Sequence, residues 1–233
     1  MRQGFFITGT DTGVGKSLVA AALLHLHAEK GRRAVGMKPV AAGAEMVNGG
    51  LLNEDVGQLM AAGNVDAPLE LINPYVFAPP VAPHIAAQQA GVEISLTTVI
   101  NAFAALSDLA EVVVVEGAGG FCVPLNDTEE MAGLAGAMGL PVILVVGMRL
   151  GCLNHALLTV EAIRARGLPL AGWVANRIDP QMPCFEENLD SLRQRIAAPC
   201  LGIIGWQAGI TYQRAAKSLR LPDALSGQKN LNK

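Results

Sequence analysis

Charge of either sign is scarce in this chain of 233 residues, of which 16% are Asp, Glu, Lys or Arg. Lys and Arg number 17 against 20 Asp and Glu, a net charge of −3, and the adjacent Arg32 and Arg33 form no larger basic cluster. A protein that grips a nucleic-acid backbone needs a basic stripe, so no nucleic-acid partner is expected. Long apolar runs are missing as well. Residues 140–146 are typical of the runs present, far below the roughly 20 residues of a membrane span, so no membrane partner is expected either. The start Met1-Arg2-Gln3-Gly4 leads into a three-residue apolar run, not the long apolar core of a secretory leader. Cysteines are few, at positions 122, 152, 184 and 200, with no Cys-x-x-Cys pair, which argues against a disulfide frame and a zinc site. His25, His27, His84 and His155 form no metal-ligand spacing. Neither Gly13-x-Gly15 nor Gly117-x-Gly119 continues as a dinucleotide fingerprint, since Leu18 and Cys122 stand at the third glycine position. The expectation is a cytoplasmic protein without nicotinamide or flavin chemistry.

What the chain does have is core material, 51% of its residues, enough for one large α/β domain spanning residues 1–233. It also has Gly9-Thr10-Asp11-Thr12-Gly13-Val14-Gly15-Lys16-Ser17, set between a short apolar run at 5–8 and a helical pattern at 18–30. A glycine-rich turn between strand and helix aims backbone N–H groups at an anion, and the helix start adds a positive dipole end. Lys16 then supplies a point charge for outer phosphates and Ser17 a hydroxyl for Mg²⁺. The strict phosphate-loop pattern wants glycine six residues before the lysine; here that position is Thr10 and the glycine is Gly9. A merely connecting turn would leave Lys16 at a helix N-terminus, where the dipole disfavours a cation.

Further on, apolar runs and helical patterns alternate. Strands are expected at 34–40, 111–116, 141–147, 172–176 and 200–204. Helices are expected from the Asn53-Glu54-Asp55 start to about 62, then at 85–89, 95–109, 127–138, 154–166 and 185–196. Residues 73–83 read as a proline-rich structured loop, and the tail from about 208, with a polar end at 226–233, is expected to fray. No repeat or low-complexity tract interrupts the pattern. Such alternation predicts a mostly parallel sheet with helices on both faces, with ligands outside the carboxyl ends of the strands. Lys38, Glu116 and Asn176 all end expected strands and would therefore converge beside the phosphate loop.

Individual residues leave alternatives open. Glu116 ends a run of four valines and is either a solvated strand end or a hard oxygen ligand for Mg²⁺. Asp55 is either an acidic residue favouring a helix start or a second metal carboxylate. Lys38 is a surface charge or a phosphate-binding lysine.

Taken together, the phosphate loop, Lys38-Pro39-Val40-Ala41, Asn73-Pro74-Tyr75 with Phe77 and Pro83-His84-Ile85, Glu116-Gly117-Ala118-Gly119-Gly120, Leu150-Gly151-Cys152 with Asn154-His155, and Gly172-Trp173-Val174-Ala175-Asn176 resemble the dethiobiotin synthetase family of P-loop NTPases. These blocks stand in the family's order from Thr8 to about Trp206. The resemblance implies an ATP- and Mg²⁺-dependent homodimer that makes dethiobiotin from 7,8-diaminopelargonate and CO₂. It implies that Lys16, Lys38 and Thr12 act on the transferring phosphoryl group or the carbamate. Ser17, Asp55 and Glu116 would hold Mg²⁺. The nucleotide would lie against Gly13, Val14, Gly15, Gly117, Ala118, Gly119, Asn176, Arg177, Gly205, Trp206 and Gln207. The diamine would meet Ala42 and, from the partner subunit's helix start, Gly151, Cys152, Leu153 and Asn154. The chain departs from common family choices at Ala42 (often serine), Gly13 (often glutamate) and Gly205 (often proline). Two rivals share the superfamily. A glutamine-dependent amide synthase needs a partner glutaminase domain for which no residues are left. A partitioning or regulatory ATPase carries a lysine where this chain has Asp11.

Overall fold

Valine-rich runs without polar alternation are satisfied only between two layers of helix. The computed structural model, which describes residues 3–222, uses them in this way. In chain order the elements are β1 (Gln3–Gly9), α1 (Lys16–Glu29), β2 (Ala34–Met37), β3 (Val40–Ala42), β4 (Glu45–Val47), β5 (Gly50–Leu52), α2 (Glu54–Ala62), α3 (Leu69–Ile72), β6 (Tyr75–Phe77) and α4 (Pro83–Ala90). There follow α5 (Leu96–Leu109), β7 (Val112–Glu116), α6 (Met131–Met138), β8 (Val142–Met148), α7 (Cys152–Ala165), β9 (Leu170–Arg177), α8 (Phe185–Arg195), β10 (Cys200–Ile204) and α9 (Tyr212–Ala216).

Six strands form one parallel sheet in the order β10-β9-β8-β1-β7-β2. Both faces are dry. In β7, Val113 and Val115 join the core beneath α5 and α6, while Val112 and Val114 join the core beneath α1. Phe6 and its neighbours Phe5 and Ile7 divide in the same way in β1. A third apolar cluster, centred on Trp173, packs β8 and β9 against α7 and α8. Among the described residues no helix is long and apolar enough to cross a membrane.

Several boundaries differ from expectation, each for a local reason. The strand expected at 34–40 breaks at Lys38-Pro39. Lys38 N donates to Ile72 O instead of the sheet, Pro39 has no N–H to offer, and β3 pairs with β6 in a separate small sheet. The proline-rich stretch at 73–83 therefore contains a strand. The helix expected from 127 starts at Met131, because Asn126 Oδ1 accepts from Thr128 N and Glu129 N and shapes a turn first. Conversely α7 starts two residues earlier than the expected 154, with Gly151 at φ 93° as its cap residue. The hairpin β4–β5 was not anticipated, although Asn48-Gly49, both at positive φ, carries its turn signal.

The tail from 208 is ordered as far as it is described. Thr211 caps α9, Tyr212 Oη donates to Ala61 O at 3.0 Å, and Arg220 N donates to Leu201 O. Ala215 and Ala216 are buried against α1. Gly202 makes room for this return, since a Cβ there would strike Ser218 O. The polar end at 226–233 lies outside the described residues.

Candidate active site

The loop after β1 has no side-chain cap at its helix. Gly15, at φ 90°, is the cap residue of α1, so the first-turn N–H groups are left to an external acceptor. Asn176, near the end of β9, buttresses the loop from below, its Nδ2 donating to Val14 O at 2.8 Å. A Cβ at Gly15 would collide with that same amide, so position 15 needs glycine twice over.

Two strand ends and one helix start bring charge to the loop. Lys38 follows β2, Glu116 closes β7, and the two are buried at 5% and 0% exposure. Lys38 Nζ donates to Glu116 Oε1 at 2.5 Å and to Asp55 Oδ2, in the first turn of α2, at 2.9 Å. Ser17 Oγ donates to the same Glu116 oxygen at 2.7 Å. Lys16 Nζ folds back on Asp11 O at 2.9 Å. Burial and the nearby Lys38 ammonium pull Lys16 down to about 8, only partly offset by Glu116, Asp55 and Asp11. Burial would lower Lys38 too, but Glu116 and Asp55 outweigh it and hold Lys38 above its ordinary value. Asp55 is the converse: burial raises it, and the Lys38 ammonium overrides this and holds it below the usual carboxylate range. This is an electropositive loop waiting for an anion, with a hard carboxylate pair beside it.

Glu116 Oε2 is buried and has no hydrogen-bond partner. A dry carboxylate oxygen without a donor suits a divalent cation. Asp55 and the Ser17 hydroxyl lie at the same spot, so the donor set fits Mg²⁺, with the remaining ligands left to phosphate oxygens and water. Among the described residues no three His, Cys, Asp or Glu gather anywhere, so an all-protein metal cage is absent there.

These groups open into a cleft of about 700 Å³. Thr12, Gly13, Gly15, Lys16, Ser17, Asp55, Lys38, Ala42, Glu116, Ala118 and Gly119 all line it. Val40, Val81 and Val123, with Pro80 and Pro83, give the same cleft apolar lining. Polar loop and apolar wall together suit a ligand with phosphates and a hydrocarbon chain. Gly119, at φ 64°, lies against Thr12, its would-be Cβ 3.7 Å from Thr12 Oγ1.

Other expected residues fall elsewhere. Val14 is buried under the loop and offers its carbonyl to Asn176. Gly117 packs on the Phe6 ring behind the cleft lining. Arg177 is turned away, its guanidinium 4.9 Å from the Phe185 ring centroid and bonded to Asp179 O and Pro180 O. Gly205, Trp206 and Gln207 follow β10 as exposed residues outside the cleft lining. Gly151, Cys152, Leu153 and Asn154 form the start of α7, and none of them lines the cleft of their own chain. One of that turn's donors is already used, since Cys152 N donates to Arg149 O. Burial pushes the Cys152 thiol up, leaving it neutral.

The proline wall at 80–83 and the buried Asn73 had no assigned role in the sequence, and Asn53, expected as the cap of α2, is that cap and is buried as well. Asn73 Nδ2 donates to Lys38 O at 2.6 Å and to Tyr75 O at 2.9 Å, which fixes the lysine's backbone. The Arg149 guanidinium, 2.6 Å from Asp11 Oδ2, was also missed. Each depends on a partner distant in the chain.

A family model described as an AAA domain matches residues 3–214. The ATP-dependent dethiobiotin synthetase BioD of Aromatoleum aromaticum is 58% identical over 94% of this chain and 98% of that protein. The protein of the same name from Nitrosospira multiformis is also 58% identical, over 88% of each chain. Among solved structures, the septum site-determining protein MinD from Pyrococcus horikoshii, complexed with Mg-ADP, aligns with a TM-score of 0.57. That alignment covers 93% of both chains at 15% identity, a likeness of fold alone.

Proposed function

The chain belongs to the ATP-dependent dethiobiotin synthetase family, and from that premise we propose how its cleft closes the dethiobiotin ring. The protein is an ATP-dependent cyclo-ligase of biotin biosynthesis. In the proposed sequence one amine of 7,8-diaminopelargonate adds to CO₂ and loses a proton, giving a carbamate. A carbamate oxygen then attacks the γ-phosphorus of ATP, and ADP leaves. Finally the second amine attacks the carbonyl of the mixed anhydride and loses a proton, phosphate departs, and the ureido ring is closed.

The observation that carries this reading is the convergence of Lys16, Lys38, Ser17, Asp55 and Glu116 at one end of a half-apolar cleft. Phosphoryl transfer asks little covalent chemistry of a protein; it asks for alignment and for positive charge at the equatorial oxygens. Lys16, whose ammonium donates to the Asp11 carbonyl rather than to a carboxylate, meets the phosphates from the loop side. Lys38 meets the transferring group from the β2 side, and Thr12 reaches toward the carbamate. Ser17, Asp55 and Glu116 would hold Mg²⁺, which when bound neutralises phosphate charge. Lys38 Nζ rests between the same two carboxylates, so loading the site frees it to turn to the γ-phosphate. The valine and proline wall, with Ala42, shelters the aliphatic chain and keeps water from the anhydride.

Adenine is assigned to the β9–β10 side, with Asn176, Arg177 and the exposed Gly205, Trp206 and Gln207. The enzyme is read as a cytoplasmic homodimer. The start of α7 lies outside its own cleft beside Leu150, which is 83% exposed, and this supports its use on a partner's substrate carboxylate. The septum site-determining protein MinD shares the fold, but likeness at 15% identity carries no function and does not favour the alternative of a partitioning or regulatory ATPase.

The deciding experiment supplies ATP, Mg²⁺, diaminopelargonate and bicarbonate and follows products by mass. Dethiobiotin and ADP formed only with all components are expected. ATP hydrolysis indifferent to the diamine would reject the assignment.

A further inference from the structure

Asp55 and Ala42 face the same cleft, yet the chain between them runs out through the hairpin β4–β5. That hairpin adds little core, with Met46 at 68% and Val47 at 43% exposure, and cannot by itself set the spacing of the two. Gly43 N and Ala44 N donate to Pro79 O and Phe77 O, which anchors the end of β3 to the β6 side but not to α2. Asn53 joins them. Its Oδ1 accepts from Asp55 N at 3.0 Å, while its Nδ2 donates to Ala42 O at 3.1 Å and Gly43 O at 3.3 Å.

A helix cap needs only the first of these. Ser, Thr or Asp would cap α2 as well, since the orphan N–H asks for an acceptor. The two donated bonds are surplus to capping and run to another element. The side chain is buried at 7% exposure, while Ala42 and Gly43 are half-buried, so the two bonds sit at the edge of the core rather than in open solvent. We propose that Asn53 is a positioning residue, locking the substrate wall at Ala42 to the Asp55 carboxylate through a single amide. Through Asp55 it also sets where Lys38 rests, because the Lys38 ammonium is divided between Asp55 and Glu116. The inference rests on the dethiobiotin synthetase reading and adds a residue that touches neither substrate nor nucleotide.

The test is Asn53→Ser, which keeps the cap acceptor and removes the donors. The expected result is a diaminopelargonate KM about five- to tenfold higher, from misplacement of groups that the substrate meets. Calorimetric titration should show a similar rise in the Mg²⁺ needed for ATP binding, a readout independent of turnover. Thr211→Ala removes the cap of α9, which is not part of the cleft lining, and should lower thermal stability while leaving both constants unchanged. Asn53→Asp, which also keeps an acceptor, replaces the serine variant if that one does not fold. Wild-type constants in a folded donor-less variant would overturn the proposal, as would failure of both variants to fold, which assigns Asn53 to stability alone. Failure of the wild-type enzyme to make dethiobiotin would instead reject the underlying reading.

Discussion

Lys38 Nζ and Glu116 Oε1 lie 2.5 Å apart although 78 residues separate them in the chain. The pair is buried, so each member determines what the other can do. In the loaded enzyme the carboxylate is proposed to face Mg²⁺ and the ammonium the γ-phosphate. A charge that serves a developing anion in a dry site is worth about 3 kcal/mol, on the order of a hundredfold in rate. Lys38→Ala should therefore slow dethiobiotin formation by at least about two orders of magnitude. It should also lower stability, on the order of 3 kcal/mol, by leaving Glu116 buried without its cation. Turnover is measured below the variant's melting temperature; a near wild-type rate there would take Lys38 out of the phosphoryl step.

Asp55 both starts a helix and holds Lys38. Asp55→Asn keeps the shape and removes the charge. If the carboxylate serves the metal, the Mg²⁺ concentration for half-maximal turnover should rise about tenfold or more. The diamine KM should change much less. An unchanged Mg²⁺ titration would leave Asp55 with only its helix and ion-pair roles.

His27 carries a pH dependence unrelated to catalysis. It is buried at 1% exposure against Phe5, neither ring nitrogen has a partner, and burial, with Arg32 and Lys30 nearby, lowers it to about 4. The unfolded chain, titrating near 6.5, then binds more protons than the folded one between pH 4 and 6.5. Stability from this residue is complete above 6.5 and is lost as pH falls toward 4, by about 3 kcal/mol in all. The midpoints of denaturant melts should fall as pH is lowered across this range, and His27→Leu should flatten that pH dependence. A slope unaffected by the substitution would place the acid sensitivity elsewhere.

Gly151 offers a test of the shared site. Among the described residues a Cβ there meets nothing within 4 Å, so a large side chain would project outward from the start of α7, although the φ of 93° strains any residue but glycine. Gly151→Trp should then block a neighbouring subunit's substrate site while leaving its own phosphate loop intact. Mixed with Lys16→Ala chains, it should regain part of the activity through heterodimers holding one sound composite site. Verified heterodimers without activity, or an active species that sediments as a monomer, would refute the shared arrangement.

The phosphate loop, the parallel α/β plan and the convergence of Lys38, Glu116 and Asn176 beside that loop were legible in the sequence. All three follow from short-range rules. Glycines at 13 and 15 permit positive φ, valine runs demand two-sided burial, and right-handed crossovers bring the strands' carboxyl ends to one edge. Other features needed the folded chain, because their meaning lies in partners far away in sequence. Asn176 bonds to the loop rather than standing free, and Pro39 moves β3 out of the main sheet to pair with β6. The described part of the tail, up to residue 222, is held by Leu201, Gly202 and Ala61, which no local propensity could indicate. Local conformational preference could write the phosphate loop and the helix starts. Only burial and hydrogen bonding between distant segments could decide that a cap residue, Asn53, also binds the wall of the cleft.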